Sequence, residues 1–226
     1  MQPLDALTAA RLAAELDAKL ARARVNKVQQ VAKHAWLLHF WWAGSHQHHP
    51  LRGARLLLHM AAGLPFVALV PAERLKPLGF EGMDRPTAFC MGLRKHLNGA
   101  RLERVVAVPG EPALDFQFTN TTELGFEARL TLSVECIGKY ANLLLVDATP
   151  DSATHNRVLA VAHPVTDAMS SARQLFVGAP YAPPPRPMDK RLLADVTGEA
   201  FRAWCALAGA DGPEGWAGVL AKRVWG

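Results

Sequence analysis

Long apolar runs are missing from this chain of 226 residues. No stretch of roughly 18 uncharged hydrophobic residues occurs, so no transmembrane helix and no membrane partner is expected. Cysteine is scarce: Cys90, Cys136 and Cys205 lie far apart in apolar surroundings. That pattern excludes a disulfide framework or a zinc or redox motif, and reads as three reduced core residues of a cytoplasmic protein. Motifs of catalysis are missing too: no glycine-rich phosphate loop, no HExxH, and no serine or cysteine in a nucleophile motif. His46, His48 and His49 share one loop over residues 43–53. No carboxylate accompanies them and their spacing fits no metal site, so a solvated turn is expected. Asp115, Glu135 and Asp147 fall at strand ends, where turn and edge roles account for them. The expectation is a protein without enzymatic activity, metal or cofactor. The charged, amphipathic N-terminal segment does not read as a signal peptide.

What is present is a globular composition, 50% hydrophobic and 20% charged, with a net charge of +5 and a pI near 9.4. The positive balance favours a polyanionic partner. Residues 4–22 predict an amphipathic helix with Leu12, Leu16 and Leu20 on one stripe. A strand-like stretch begins at Val25 and Val28, and residues 36–42 read as a strand that is apolar on both faces. Short strands follow at 55–59 and 66–70, then a connection over 71–85.

A central helix is expected over residues 86–97, with Phe89, Leu93 and Leu97 on its buried face. Pro86 suits its first turn, Asp84 is placed to cap it, and Asn98-Gly99 ends it. Arg94, Lys95 and His96 give it a positive tip. After it the pattern is all strand: 102–108, 114–118, a strongly alternating 126–136, a reversal at Gly138-Lys139-Tyr140, then 143–146 and 157–162. The order predicts an α+β fold with mainly antiparallel strands and a central helix, followed by helices. Five prolines over residues 178–187 predict an extended linker packed by Tyr181, and helices are expected at 189–208 and 213–224.

Two groups of polar residues stand above this background. One is the helix tip, Arg94, Lys95 and His96. The other is the reversal Glu135-Cys136-Ile137-Gly138-Lys139-Tyr140-Ala141-Asn142. Lysine and arginine attract phosphate, Tyr140 offers a stacking face, and Asn142 offers an amide.

Four stretches, in order, resemble one family. Residues 89–97, followed by Gly99 and Leu102, resemble its FCMLLRKHLEGGRL-type signature. Val25-Asn-Lys-Val-Gln-Gln30 resembles its ITKIHQP-type strand. Residues 135–143, through Asp147, resemble its EIMGRHSNIILVD-type hairpin, and residues 178–185 its PGxPYxPPP-type linker. This is the NFACT family of RqcH-like proteins, formerly called fibronectin-binding protein A-like.

The resemblance implies an NFACT-N domain over residues 1–180, similar in fold to the N-terminal domain of formamidopyrimidine-DNA glycosylases. It implies a proline-rich linker over 181–188 and the start of an incomplete helix-hairpin-helix domain over 189–226. Family members recognise large ribosomal subunits carrying peptidyl-tRNA, recruit tRNA (alanine tRNA in bacteria), and support alanine tailing while the ribosome performs the peptidyl transfer. The two polar groups and the family match together give an expected RNA-binding set: Arg94, Lys95, His96, Glu135, Cys136, Ile137, Lys139, Tyr140 and Asn142.

One departure bears on tailing. Where the family carries an Asp-Arg pair, this chain has Asp115-Phe116. The alternative is therefore a non-ribosomal RNA- or DNA-binding scaffold that kept the fold and lost tailing. Base excision is not expected, because Pro3 in Met1-Gln2-Pro3-Leu4 is not terminal and no glutamate follows it. A fibronectin-binding surface adhesin is likewise not expected. The family's long arm and C-terminal RNA-binding domain are not matched, which implies a fragment or a reduced relative.

Overall fold

A helix followed by a meander of four antiparallel strands occurs twice in the computed structural model, which describes residues 4–42, 54–80, 82–122, 124–185, 191–192 and 195–225. The first unit is α1 (Ala6–Leu20), β1 (Arg24–Ala32), β2 (Ala35–Trp41), β3 (Ala54–His59) and β4 (Phe66–Pro71). A short α2 (Ala72–Leu75) leads to the second unit: α3 (Ala88–Leu97), β5 (Arg101–Ala107), β6 (Ala113–Thr121), β7 (Glu127–Glu135) and β8 (Asn142–Asp147), with β9 (Val158–Val161) added at the edge. The strands run β4-β3-β2-β1-β5-β6-β7-β8-β9 in one sheet, antiparallel throughout. This is the expected α+β class. The histidine loop at 43–53 and Met1-Gln2-Pro3 lie outside the described residues.

The two units meet where β1 touches β5, at the register pair Arg24↔Arg101. Backbone bonds around that pair are reciprocal. Arg22 N–H donates to Leu102 O (3.0 Å) as Gly99 N–H donates to Val25 O (2.8 Å), and Leu102 N–H donates to Ala23 O (2.8 Å) as Val25 N–H donates to Ala100 O (2.8 Å). Residues 22–25 thus match 99–102, as across a local two-fold axis. Each helix ends in a left-handed residue (Arg22, φ 63°; Gly99, φ 80°), then a fully buried alanine, an exposed arginine and a fully buried aliphatic residue.

The inward faces share one core. Leu16, Leu20, Val25, Trp36, Leu38 and Leu56 of the first unit pack with Phe89, Leu93, Leu97, Phe116, Leu132 and Leu143 of the second. Trp36 meets Phe89 edge-to-face at 5.2 Å. The double-sided apolar character of β2 is explained by a second, outer cluster. Leu37 and Leu57 pack there beneath Leu75 of the unforeseen α2 and Phe80.

The alternation of β7 holds from Leu130 to Cys136, but Phe126 precedes the strand and is 68% exposed. Its other face is not solvated throughout either. Segment 163–185 covers β7, β8 and β9, with Leu175 and Tyr181 packed over that face. The proline-rich segment enters as an extended stretch along β9, where Val158 N–H donates to Ala179 O (2.9 Å) and Tyr181 N–H to Asn156 O (2.8 Å).

Beyond it, β10 (Arg191–Leu192) pairs in parallel with β11 (Val224–Trp225), and α4 (Gly198–Ala208) and α5 (Gly212–Arg223) lie between them in sequence. The expected helix at 189–208 starts only at Gly198, capped by Thr197, whose hydroxyl accepts from Ala200 N–H (3.1 Å). Its buried residue is Cys205, while Leu207 is 82% exposed. All three cysteines are buried and unpaired. No helix among the described residues is long and apolar enough to cross a membrane.

Candidate nucleic-acid interface

The central helix α3 starts at Ala88, two residues later than its pattern suggests. Its cap is Thr87, not Asp84: the Thr87 hydroxyl accepts from Cys90 N–H (3.5 Å), and Pro86 lies outside the helix. Buried Gln30 fixes that cap, its Oε1 accepting from both Thr87 N–H (2.8 Å) and Thr87 Oγ1–H (2.9 Å). At the other end the three basic residues differ. Arg94 is half-buried and donates through Nε to Val28 O (2.9 Å) on the edge of β1 that meets no strand there. His96 is half-buried. Burial and the Lys95 charge push its imidazole below the ordinary range, against the opposing pull of Asp147. Lys95 alone of the three is exposed.

The β7–β8 turn is a 3-10 turn at Gly138–Tyr140. Lys139 and Tyr140 are exposed, Tyr140 to 70%, and the Lys139 ammonium lies 5.0 Å from the Tyr140 ring centroid. A cation beside an aromatic face is the pairing that stacks a base and attracts its phosphate. Among the described residues neither Lys95 nor Lys139 makes an ion pair.

Glu135, Cys136 and Asn142 lie under this turn, at exposures of 1%, 2% and 2%. Asn142 Nδ2–H donates to His163 O (2.7 Å), and its Oδ1 accepts from His163 N–H (3.0 Å) and Leu143 N–H (2.9 Å). The His163 ring sits 2.9 Å from Ala141 O through Nδ1 and 3.0 Å from His34 Nδ1 through Nε2. A carbonyl only accepts, so His163 Nδ1 carries a proton and donates it to Ala141 O. Burial, with Glu135 adjacent, pushes the Cys136 thiol up to about 12. Half-buried Ile137 leads into the turn.

Glu135 meets an arginine that local reading of the chain does not find. Arg173 grips it through two bonds, Nη1–H to Oε2 (2.7 Å) and Nη2–H to Oε1 (2.6 Å), and donates a third through Nε to Ala182 O (2.7 Å). Tyr181 closes the group: its hydroxyl donates to Glu135 Oε1 (3.3 Å) and sits 3.2 Å from Ser133 Oγ, and its ring lies 5.6 Å from the Arg173 guanidinium. Burial, then the Glu135 charge, pushes the Tyr181 phenol up. Burial would lower the Arg173 pKa, but the hydrogen bonds and charge of Glu135 raise it.

Asp115 faces Ser133 across the β6–β7 pair, and its Oδ1 is buried without a partner. Burial raises its pKa and Glu135 adds to that, against a hydrogen bond from Ser133. The sequence offers no arginine beside Asp115. The fold brings Arg173 to that face, but commits it to Glu135.

The two polar groups do not converge. Asn142 begins β8 beside the hairpin turn, while His96 feels Asp147 at its far end. Five steps of ~3.3 Å from Asn142 to Asp147 put the groups about 17 Å apart. The structure therefore holds two exposed patches, Lys139–Tyr140 and Lys95, and a frame of buried Glu135 and Asn142 and half-buried Arg94 that sets their positions. The signal that marks Arg173 is tertiary. Its only local hint is Tyr181 in the proline segment.

The model of the "NFACT N-terminal and middle domains" matches residues 5–215. The chain is 30% identical over 171 residues to the Rqc2 homolog RqcH of Streptococcus pneumoniae, and 27% identical over 171 residues to that of Bacillus subtilis. Each match spans 76% of this chain but only 28% and 27% of those relatives. Among solved structures, the N-terminal domain of fibronectin-binding protein PavA from Streptococcus pneumoniae aligns with a TM-score of 0.72 at 25% identity, over 89% of this chain and 72% of that one. The fibrinogen binding protein from Staphylococcus aureus shares the fold, with a TM-score of 0.74 at 20% identity, over 99% of this chain and 70% of that one.

Proposed function

The chain belongs to the NFACT family, and on that premise we propose that it is the RNA-binding N-terminal part of a cytoplasmic ribosome-associated quality-control factor. It engages large ribosomal subunits carrying peptidyl-tRNA, contacts rRNA and tRNA, alanine tRNA in particular, and serves C-terminal alanine tailing. It catalyses no bond chemistry itself. The observation that carries this reading is the exposed Lys139–Tyr140 pair, 5.0 Å from charge to ring centroid, on a turn held rigid from beneath. Lys95 supplies a second phosphate contact at the far end of β8. Arg94, His96, Glu135, Cys136, Ile137 and Asn142 act mainly as positioning residues.

The domain division follows the same reading. Residues 1–180 form the NFACT-N domain, 181–188 the linker, and 189–226 the start of a helix-hairpin-helix domain. The two helix-and-meander units support a glycosylase-like N-terminal fold.

A second reading is favoured by one observation. Phe116, which stands where the family carries an arginine, is fully buried in the core. On that reading the chain is a non-ribosomal RNA- or DNA-binding scaffold that lacks tailing.

The test is co-sedimentation with large ribosomal subunits, with and without a trapped peptidyl-tRNA, over a salt series. Pelleting that needs the peptidyl-tRNA is expected. A folded protein that pellets with neither form, yet binds free RNA, leaves only the second reading.

A further inference from the structure

The residues that join the two units carry more positive charge than the fold requires. Arg24 and Arg101 are direct partners across the β1–β5 bridge, and like charges set opposite each other in a sheet oppose folding. Arg22 adds a third arginine in a left-handed conformation, φ 63°. A side chain resists that conformation and glycine does not. The internal repeat supplies the control, because the matching position in the second unit is Gly99, φ 80°.

Among the described residues one carboxylate serves the cluster. Glu103 accepts from Arg101 Nε–H (2.7 Å) and from the Thr119 hydroxyl. Burial would raise its pKa, but these bonds and the charges of Arg101 and Arg22 lower it. Among the described residues the Arg24 side chain bonds a backbone oxygen alone, Gly99 O (2.8 Å). That oxygen ends the helix bearing Lys95. All three arginines are exposed.

We propose that Arg22, Arg24 and Arg101, gathered on the local two-fold between the two units, form a binding site for the phosphate backbone of RNA. Guanidinium groups match phosphate with paired donors, and a strained residue persists where its side chain has a task. The site rests on the nucleic-acid reading above but uses none of the residues of the hairpin turn.

The test is fluorescence anisotropy of a labelled tRNA transcript against the whole chain, over a salt series, for wild type, Arg22→Gly and Tyr140→Ala. Arg22→Gly suits the backbone, so its Tm is expected to stay level or rise. Its affinity is expected to fall about four- to fivefold near ~0.15 M salt, and the salt slope to flatten by about 0.7–0.9, the loss of one phosphate contact. An Arg22→Gly protein that binds with wild-type affinity and slope overturns the proposal, and does so alone if Tyr140→Ala weakens binding. A Tyr140→Ala protein unchanged beside a weakened Arg22→Gly overturns the hairpin contact and leaves the arginine site standing. Wild type that fails to bind RNA overturns both.

Discussion

Glu135 and Arg173, 38 residues apart in the chain, form a bidentate pair at 2.6 and 2.7 Å beneath the β7–β8 turn. The carboxylate is 1% exposed and the guanidinium side chain 12%. Removing one partner strands the other charge in the protein, so Arg173→Met is expected to lower stability by about 3–5 kcal/mol. Adding Glu135→Gln to it should recover much of that loss, because no charge then remains buried. Urea unfolding of the two single variants and the double variant checks this. Additive losses would show that the pair is not coupled.

Asn142 is the second element of the frame. Its side chain satisfies two backbone amides and one carbonyl across β8 and His163. Asn142→Ala leaves these groups short of partners, a loss of about 2–3 kcal/mol. The amide of Leu143 should lose protection in hydrogen exchange before the amides of β6 do. Uniform loss across the sheet would contradict a local role at the turn.

His39 sets a pH dependence. Its Nε2 is buried without a partner, and burial, with Arg55 and Lys27 adding, lowers its pKa to about 4. In the unfolded chain the imidazole titrates near ~6.5. Between these values the unfolded state binds the extra proton, so stability is complete above pH ~6.5 and falls as the pH drops toward about 4. At about 1.4 kcal/mol per unit the loss reaches at most about 3.5 kcal/mol. Equilibrium unfolding at stepped pH should show this slope in wild type and a weaker one in His39→Leu.

Much of the fold is legible in the chain because its strands alternate and its helices carry clear apolar stripes. Leu130, Leu132 and Val134 fall on the core face as their spacing demands. Local pattern fails where tertiary partners decide. Ser133 and Glu135 alternate with the core residues, and nothing in that spacing shows that they lie beneath Arg173 and Tyr181. Thr87 caps α3, rather than Asp84, because buried Gln30 from β1 holds its hydroxyl.

Charge, polarity and the family motif mark the expected RNA-binding residues, and none of these separates an exposed Lys139 from a buried Asn142. Nor does proximity in sequence pattern reveal that the helix tip and the hairpin turn sit at opposite ends of β8. The repeat that pairs residues 22–25 with 99–102 is hidden because Arg22 stands where its counterpart is Gly99.

The contribution of Lys95 is separable from that of the hairpin. Lys95→Gln removes a charge and no internal bond, so its Tm should match wild type. Its RNA affinity should fall with a salt slope flatter by about 0.7–0.9. Lys95→Gln and Lys139→Gln should be additive, given their distance, and a cycle of anisotropy titrations measures this.

The most direct test of the account is tRNA binding by Tyr140→Ala and Lys139→Gln, each verified as folded by thermal unfolding. The predicted result is a loss of about 1–3 kcal/mol with an unchanged salt slope for Tyr140→Ala, which removes a stacking face. Lys139→Gln should instead flatten the slope by about 0.7–0.9. Folded variants that bind tRNA with the affinity and salt dependence of wild type would contradict the assignment of this turn as the contact surface.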